Sequence, residues 1–249
     1  MTLRENERID DLQRGGLRVI QRTDAFRFGT DAVLLSDFAS ARKHDRLCDL
    51  GTGTGVIPLL VYAREGTITA DAVELQADMA DMAARSMALN GLEQVIRVHA
   101  GDLRKIRTLL PHAQYDLVTC NPPYGKAGGT LMNPRETKRL ARHEESCTVQ
   151  DMAQAARWLL RSGGRLCCVF PAARLLELID ALHACRLEPK RLRWVHSRAD
   201  KTAHLCLLEA MLDARSGMIV EPPLVIYTQD GAYTAEMDRI YGLGEKDEG

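Results

Sequence analysis

The chain has 249 residues, 45% of them hydrophobic and 27% charged, which suits one large globular domain with at most a modest appendage. A net charge of −1 and a sequence pI near 6.7 exclude a coating-type nucleic-acid binder with a uniformly basic surface, but leave room for a local basic patch. Aromatic residues make up only 5%, so the core must be largely aliphatic.

The opening residues hold no apolar core of the kind a secretory signal needs. The longest strongly apolar run, residues 56–63, is far too short to span a bilayer. The seven cysteines show no CxxC spacing, and Cys48, Cys120, Cys167, Cys168 and Cys206 sit in apolar, strand-like runs. There cysteine behaves as a small buried hydrophobe. Neither a disulfide framework nor a zinc site is expected, and a reducing, cytoplasmic compartment is.

In chain order, residues 47–50 read as a strand and 55–64 as a helix. A second strand follows at 68–73, then a helix over 76–89 closed by Asn90-Gly91. Short strands are predicted at 95–98 and 115–120, and a helix from Thr148 to about residue 160, ended near Gly163-Gly164. Residues 165–170 form a strand, Pro171 opens a helix to about residue 185, and 191–196 and 203–212 are extended. The tail at 222–233 reads as strand-turn-strand around Asp230-Gly231. This βαβα succession implies a mostly parallel sheet with helices on both faces.

Three successive strand ends carry ligand-type residues. Asp49-Leu50-Gly51-Thr52-Gly53-Thr54-Gly55 follows the first strand and opens the first helix, and its glycines let backbone approach a ligand and turn sharply. The acidic Asp49 suits a cationic or amine-bearing ligand better than a pyrophosphate, and the dinucleotide GxGxxG spacing is absent. Glu74 ends the second strand, where a carboxylate can accept both hydroxyls of a ribose, and Asp102 follows the third, where it can accept from an adenine amino group. Taken singly, each carboxylate reads equally well as a solvated strand end.

The fourth strand end is Asn121-Pro122-Pro123-Tyr124. A planar amine is a poor nucleophile, because its lone pair is delocalised. The Asn121 side-chain carbonyl and the Pro122 backbone carbonyl can accept both hydrogens of one NH2 group, on a loop stiffened by two prolines. Tyr124 offers a flat face for stacking. Taken alone, the tetrapeptide reads equally well as a proline-rich turn closing a strand. Four such sites at the carboxyl edge of successive strands are hard to attribute to chance, since that edge is where open parallel sheets bind ligands.

With these motifs the chain resembles a class I S-adenosylmethionine-dependent methyltransferase over residues 26–212, and within that class the bacterial tRNA1(Val) (adenine-N6) methyltransferase family. Phe26-Arg27-Phe28-Gly29-Thr30-Asp31-Ala32-Val33-Leu34-Leu35 matches that family's pre-sheet segment, as do residues 71–75, 83–90 and 133–144 their counterparts. The resemblance implies a Rossmann-like α/β fold with a mostly parallel seven-stranded sheet. It implies an N-terminal cofactor-covering segment at 1–45, a methyltransferase domain at 46–213, and a C-terminal hairpin and tail at 214–249 packed on that domain. The implied cofactor is S-adenosylmethionine, held by Thr30, Asp31, Asp49, Gly51, Gly53, Gly55, Glu74, Asp102 and Asn121. The implied catalytic residues are Asn121, Pro122 and Tyr124. A sulfonium leaving group drives methyl transfer without a metal, and no metal site is expected.

The implied reaction methylates N6 of an RNA adenine, the one just 3′ of a tRNA anticodon. Arg135, Lys138, Arg139 and Arg142, which follow directly from the tetrapeptide, are the expected RNA-binding residues. Further basic clusters at Lys190, Arg191 and Arg193 and at Arg14, Arg18, Arg22 and Arg27 read more readily as ordinary charged faces. The same tetrapeptide also serves enzymes that methylate a glutamine amide in release factors, guanine N2 in ribosomal RNA or adenine in DNA. A catalytically silent cofactor-binding scaffold and a nicotinamide oxidoreductase are weaker alternatives, since neither explains the tetrapeptide beside intact Asp49, Glu74 and Asp102.

Overall fold

The apolar runs assemble into one sheet covered on both faces. The computed structural model describes residues 3–23, 29–122 and 147–243. Strands β3 (Arg46–Leu50), β4 (Thr69–Glu74), β5 (Ile96–Ala100), β6 (Tyr115–Cys120) and β7 (Leu160–Pro171) run parallel. β9 (Ala203–Leu212) lies antiparallel between β7 and β8 (Leu187–His196). The spatial order is β5-β4-β3-β6-β7-β9-β8, so the chain reverses its direction of travel between β3 and β6. A crevice outside the carboxyl ends of the strands opens at such a reversal.

Successive strand residues point to opposite faces. Leu47, Leu117, Cys167 and Val169 join one apolar cluster, with α1 (Thr30–Phe38) and α2 (Val56–Glu65). Cys48, Val118, Cys168 and Phe170 join the other, with α5 (Val149–Leu159) and α6 (Leu175–Ala184). Both faces are therefore dry, which is why these strands read as near-continuous apolar runs. All seven cysteines are free thiols and six are buried. Among the described residues no helix is long and apolar enough to cross a membrane, and no group of metal-ligating side chains comes together.

The structure departs from the sequence reading at four places. The N-terminal stretch forms a hairpin, β1 (Glu7–Asp11) against β2 (Arg18–Arg22). It docks on α3 (Ala77–Leu89): the Ile20 amide donates to Ser86 Oγ at 2.9 Å, and Asn90 bonds both the amide and the carbonyl of Arg18. Gly163-Gly164 do not close a helix. α5 ends at Leu159 and β7 begins at once, with a register break where residues 161–164 loop out beside Tyr115. A Cβ on Gly164 would lie 2.8 Å from the Arg161 carbonyl oxygen and 3.0 Å from that of Tyr115, so a side chain there would break the loop.

At the third place, Pro171 leads first into a 3-10 turn, Ala172–Arg174, before α6. At the fourth, the tail does not form the expected hairpin. β10 (Ile219–Val220) and β11 (Leu224–Val225) both lie parallel on β8, extending the seven-stranded core to nine strands. Pro222-Pro223 supply no N–H and split the pairing into two short pieces. Asp230-Gly231 sit within a turn closed by one antiparallel bridge, Tyr227 to Tyr233, and α7 (Ala235–Tyr241) follows, capped by Thr234. The 3-10 turn Leu103–Lys105 and α4 (Ile106–Leu109) complete the fold.

Candidate active site

The loop after β3 is built from left-handed glycines. Gly51, Gly53 and Gly55 have φ of 70°, 60° and 87°, and Gly55 is the residue from which α2 starts. A Cβ on Gly55 would run into the Met87 side chain and touch Ala83 of α3. The loop amides are committed inward. Those of Gly51 and Thr52 donate to the Val73 carbonyl at 2.9 and 3.0 Å, and that of Gly53 donates to Glu74 Oε2 at 2.8 Å. The other Glu74 oxygen accepts from the Gln76 amide at 2.9 Å. Glu74 is thus held by two backbone donors while each oxygen keeps acceptor capacity for a ligand.

Asp102 caps the 3-10 turn after β5, accepting from the Arg104 amide. The Arg104 guanidinium closes on the same carboxylate at 2.6 Å, and this hydrogen bond keeps Asp102 below the usual carboxylate range. Asp49 is fully buried in β3. Its Oδ1 accepts from the Thr119 hydroxyl at 2.6 Å, whereas Oδ2, like the buried Thr52 hydroxyl, has no partner among the described residues. Burial pushes the Asp49 carboxyl up to about 7; the Thr119 and Thr52 hydroxyls oppose this and the Glu74 charge adds to it. A buried carboxylate oxygen without a well-formed hydrogen bond, beside a glycine loop, fits a ligand that brings positive charge and donors.

Asn121 and Pro122 follow β6 on the far side of the reversal. They line a cavity of about 350 Å³ together with Gly51, Gly53, Glu74 and Asp102. A neighbouring hollow of about 220 Å³ shares Gly51, Gly53 and Asn121 and is completed by Gln21, Arg22, Gly29 and Met79. Six of the residues singled out in the sequence therefore converge. Thr30, Asp31, Asp49 and Gly55 line neither space. Thr30 opens α1 beside Gly29 and accepts from the Tyr241 hydroxyl at 3.4 Å. Burial raises the Asp31 carboxyl, against a lowering contribution from His204. Tyr124, Arg135, Lys138, Arg139 and Arg142 lie outside the described residues.

The cavity also has a wall that the sequence reading left out: Thr148, Val149 and Met152 at the start of α5, and Phe170, Arg174 and Glu177 beyond β7. The Arg174 guanidinium lies over the Phe170 ring, 5.2 Å from its centroid, and donates to both Glu177 oxygens at 2.8 Å. A signal was available in the position of Arg174, three residues past a strand end at the same sheet edge as Asn121.

Residues 23–184 match the family model of the methyltransferase small domain. The chain is 31% identical over 221 residues to a tRNA1(Val) (adenine(37)-N6)-methyltransferase of Tolumonas auensis, covering 85% of this chain and 86% of that one. It is 32% identical over 187 residues to a protein of the same name from Parabacteroides distasonis, covering 74% and 76%. The chain belongs to this methyltransferase family. It is an enzyme whose methyl donor is S-adenosylmethionine. A solved structure of a predicted O-methyltransferase from Agrobacterium tumefaciens superimposes with a TM-score of 0.70 at 24% identity, covering 85% of this chain and 95% of that one. That likeness shows the shared fold of this methyltransferase and its neighbour.

Proposed function

We propose that this methyltransferase modifies the exocyclic N6 of an adenine in tRNA, the adenine just 3′ of the anticodon. The observation that carries the reading is the convergence of Asn121 and Pro122, at the end of β6, with Glu74 and Asp102 on one cavity. The likeness, over most of the chain, to relatives that bear the name of that reaction supports the choice of base.

S-adenosylmethionine supplies a methyl group on a sulfonium, an electrophile that needs no metal. Glu74, already fixed by two amides, accepts the ribose hydroxyls, and Asp102 accepts from the adenine amine of the donor. Gly51, Gly53 and Gly55 let the backbone pass close, Thr52 lines the adjoining hollow, and the buried Asp49 carboxyl behind the loop supplies the charge that attracts the methionine end. By the family resemblance Thr30 and Asp31 cover that end; they follow Gly29, which lines the adjoining hollow. On the acceptor side Asn121 and Pro122 accept the two N6 hydrogens, which keeps the nitrogen lone pair aimed at the methyl group. Tyr124 stacks on the base, and Arg135, Lys138, Arg139 and Arg142 contact phosphates. Such positioning can lower a barrier by ~7–11 kcal/mol. A base in a tRNA loop is already unpaired, so drawing it into the cavity costs less than flipping it from a duplex. An enzyme acting on tRNA, with seven free thiols, belongs in the cytoplasm.

The test is to incubate the protein with labelled S-adenosylmethionine and separate pools of tRNA, ribosomal RNA, DNA and release factor. Label in tRNA, recovered as N6-methyladenosine, is the expected result. Label confined to release factor would replace the reading with glutamine-amide methylation.

A further inference from the structure

Beyond β7 the cavity carries a side-chain cluster that the methyl-transfer step leaves unused. β7 ends in Phe170-Pro171, the 3-10 turn Ala172–Arg174 follows, and Glu177 stands one turn into α6. Phe170 is buried, and Arg174 lies over its ring while donating through Nε and Nη2 to Glu177. In the spatial order of the sheet, Asp102 and Glu74 stand at the ends of β5 and β4, Asn121 at the end of β6, and this cluster at the end of β7. It is therefore on the opposite side of Asn121 from the cofactor carboxylates, where an acceptor must enter.

Among the described residues that line the cavity Arg174 is the one cation, paired with Glu177, while Glu74 and Asp102 are the acidic residues of the other side. A nucleotide drawn in for methylation brings its phosphate, which the carboxylates of Glu74 and Asp102 would repel. A guanidinium presents donors in a flat fork that matches two phosphate oxygens. We propose that Arg174 is a substrate-positioning residue that grips the phosphate of the acceptor nucleotide, with Phe170 and Glu177 setting the plane of its guanidinium. The inference rests on the RNA reading above. A solvated Arg–Glu pair three residues apart on a helix is usually a minor stabiliser. This one is set against a buried ring at a cavity edge, and the Arg174 hydrogen bonds keep the Glu177 carboxyl low and charged. Glu177 thereby tethers the guanidinium in its working plane before RNA arrives.

The experiment compares wild type, Arg174→Ala and Arg174→Lys on an unmodified tRNA transcript, with S-adenosylmethionine binding followed by calorimetry. For Arg174→Ala the expected result is a KM for tRNA raised about tenfold or more, and a kcat at saturating tRNA within about threefold of wild type. Cofactor affinity should be unchanged, and the slope of log affinity against log salt shallower by about one. Arg174→Lys should keep the salt slope while losing affinity, because it retains the charge and loses the fork. An Arg174→Ala enzyme with wild-type KM and salt slope would overturn the inference alone. Equal loss of cofactor and tRNA binding would also overturn it, by assigning Arg174 a structural role. A wild-type enzyme that leaves tRNA unlabelled would instead sink the RNA reading and this inference with it.

Discussion

The two ends of the cavity differ in chemistry. On the β4–β5 side the ligand-facing groups are carboxylates that the fold has already engaged: Glu74 by the amides of Gly53 and Gln76, Asp102 by Arg104. On the β6–β7 side Pro122, Val149, Met152 and Phe170 form an apolar wall interrupted by Asn121, Thr148 and the Arg174–Glu177 pair. On the proposed reading the cofactor end is thus preorganised by folding itself, and Glu74 cannot be altered without disturbing the glycine loop. The acceptor end spends few polar groups and relies on shape, so its chemistry and its substrate choice can change separately.

Variants on either side can break or sharpen the contrast. The largest effect is expected for Asn121→Ala, which should cut methyl transfer by at least about 10²–10³-fold. Its affinity for S-adenosylmethionine should move by less than tenfold; matched losses in both would assign Asn121 to the cofactor end. Glu74→Gln should show the reverse pattern, a loss of roughly 10–100-fold in cofactor affinity from one weakened charged hydrogen bond. Transfer at saturating donor should stay within a few-fold, and a rise in tRNA KM instead would place Glu74 wrongly.

A smaller effect concerns pH. Burial lifts the Asp49 carboxyl from its ordinary value to about 7 in the folded protein, so between about pH 4 and 7 the folded state binds more protons than the unfolded one. Stability contributed by this group is greatest at the acid end and falls as pH rises to about 7, by roughly 4 kcal/mol at most. The cationic donor favours the ionised form, so its affinity should climb several-fold between pH 6 and 8, with proton release on binding. Asp49→Asn should flatten both trends in calorimetry and thermal melts; an unchanged pH dependence in that variant would remove Asp49 from the account. The smallest effect is Gly55→Ala, expected to lower stability by ~1–3 kcal/mol through its left-handed φ of 87° and the Met87 side chain that its Cβ would meet, as measured by chemical denaturation. A variant as stable as wild type would show that the loop tolerates a side chain where it meets α3.

The same contrast governs what the sequence disclosed. Strands β3, β4, β6, β7 and β9 are buried along most of their length, so their apolar runs stand out, and Glu74 could be placed because it ends β4 and Asn121 because it follows β6; Asp102 was legible from the shorter run of β5, which it follows by two residues. Glu7–Asp11 and Arg18–Arg22 escaped because charged residues flank their few buried positions, and the face they cover belongs to α3, far along the chain. α7 is only seven residues long, and its cap at Thr234 is visible only once Met237 and Ile240 are seen to be buried. Arg174 escaped for a different reason. An arginine at the start of a helix looks like any solvated cation until the fold sets it over Phe170 at the edge of the cavity.

The most direct test of the central claim, that one NH2 group is held by Asn121 and Pro122 beside the methyl donor, uses two tRNA transcripts. They differ only in carrying adenosine or inosine just 3′ of the anticodon, and both are incubated with labelled S-adenosylmethionine. The account predicts N6-methyladenosine at that position in the first and no label in the second, which lacks the amine. Equal labelling of both transcripts would contradict it.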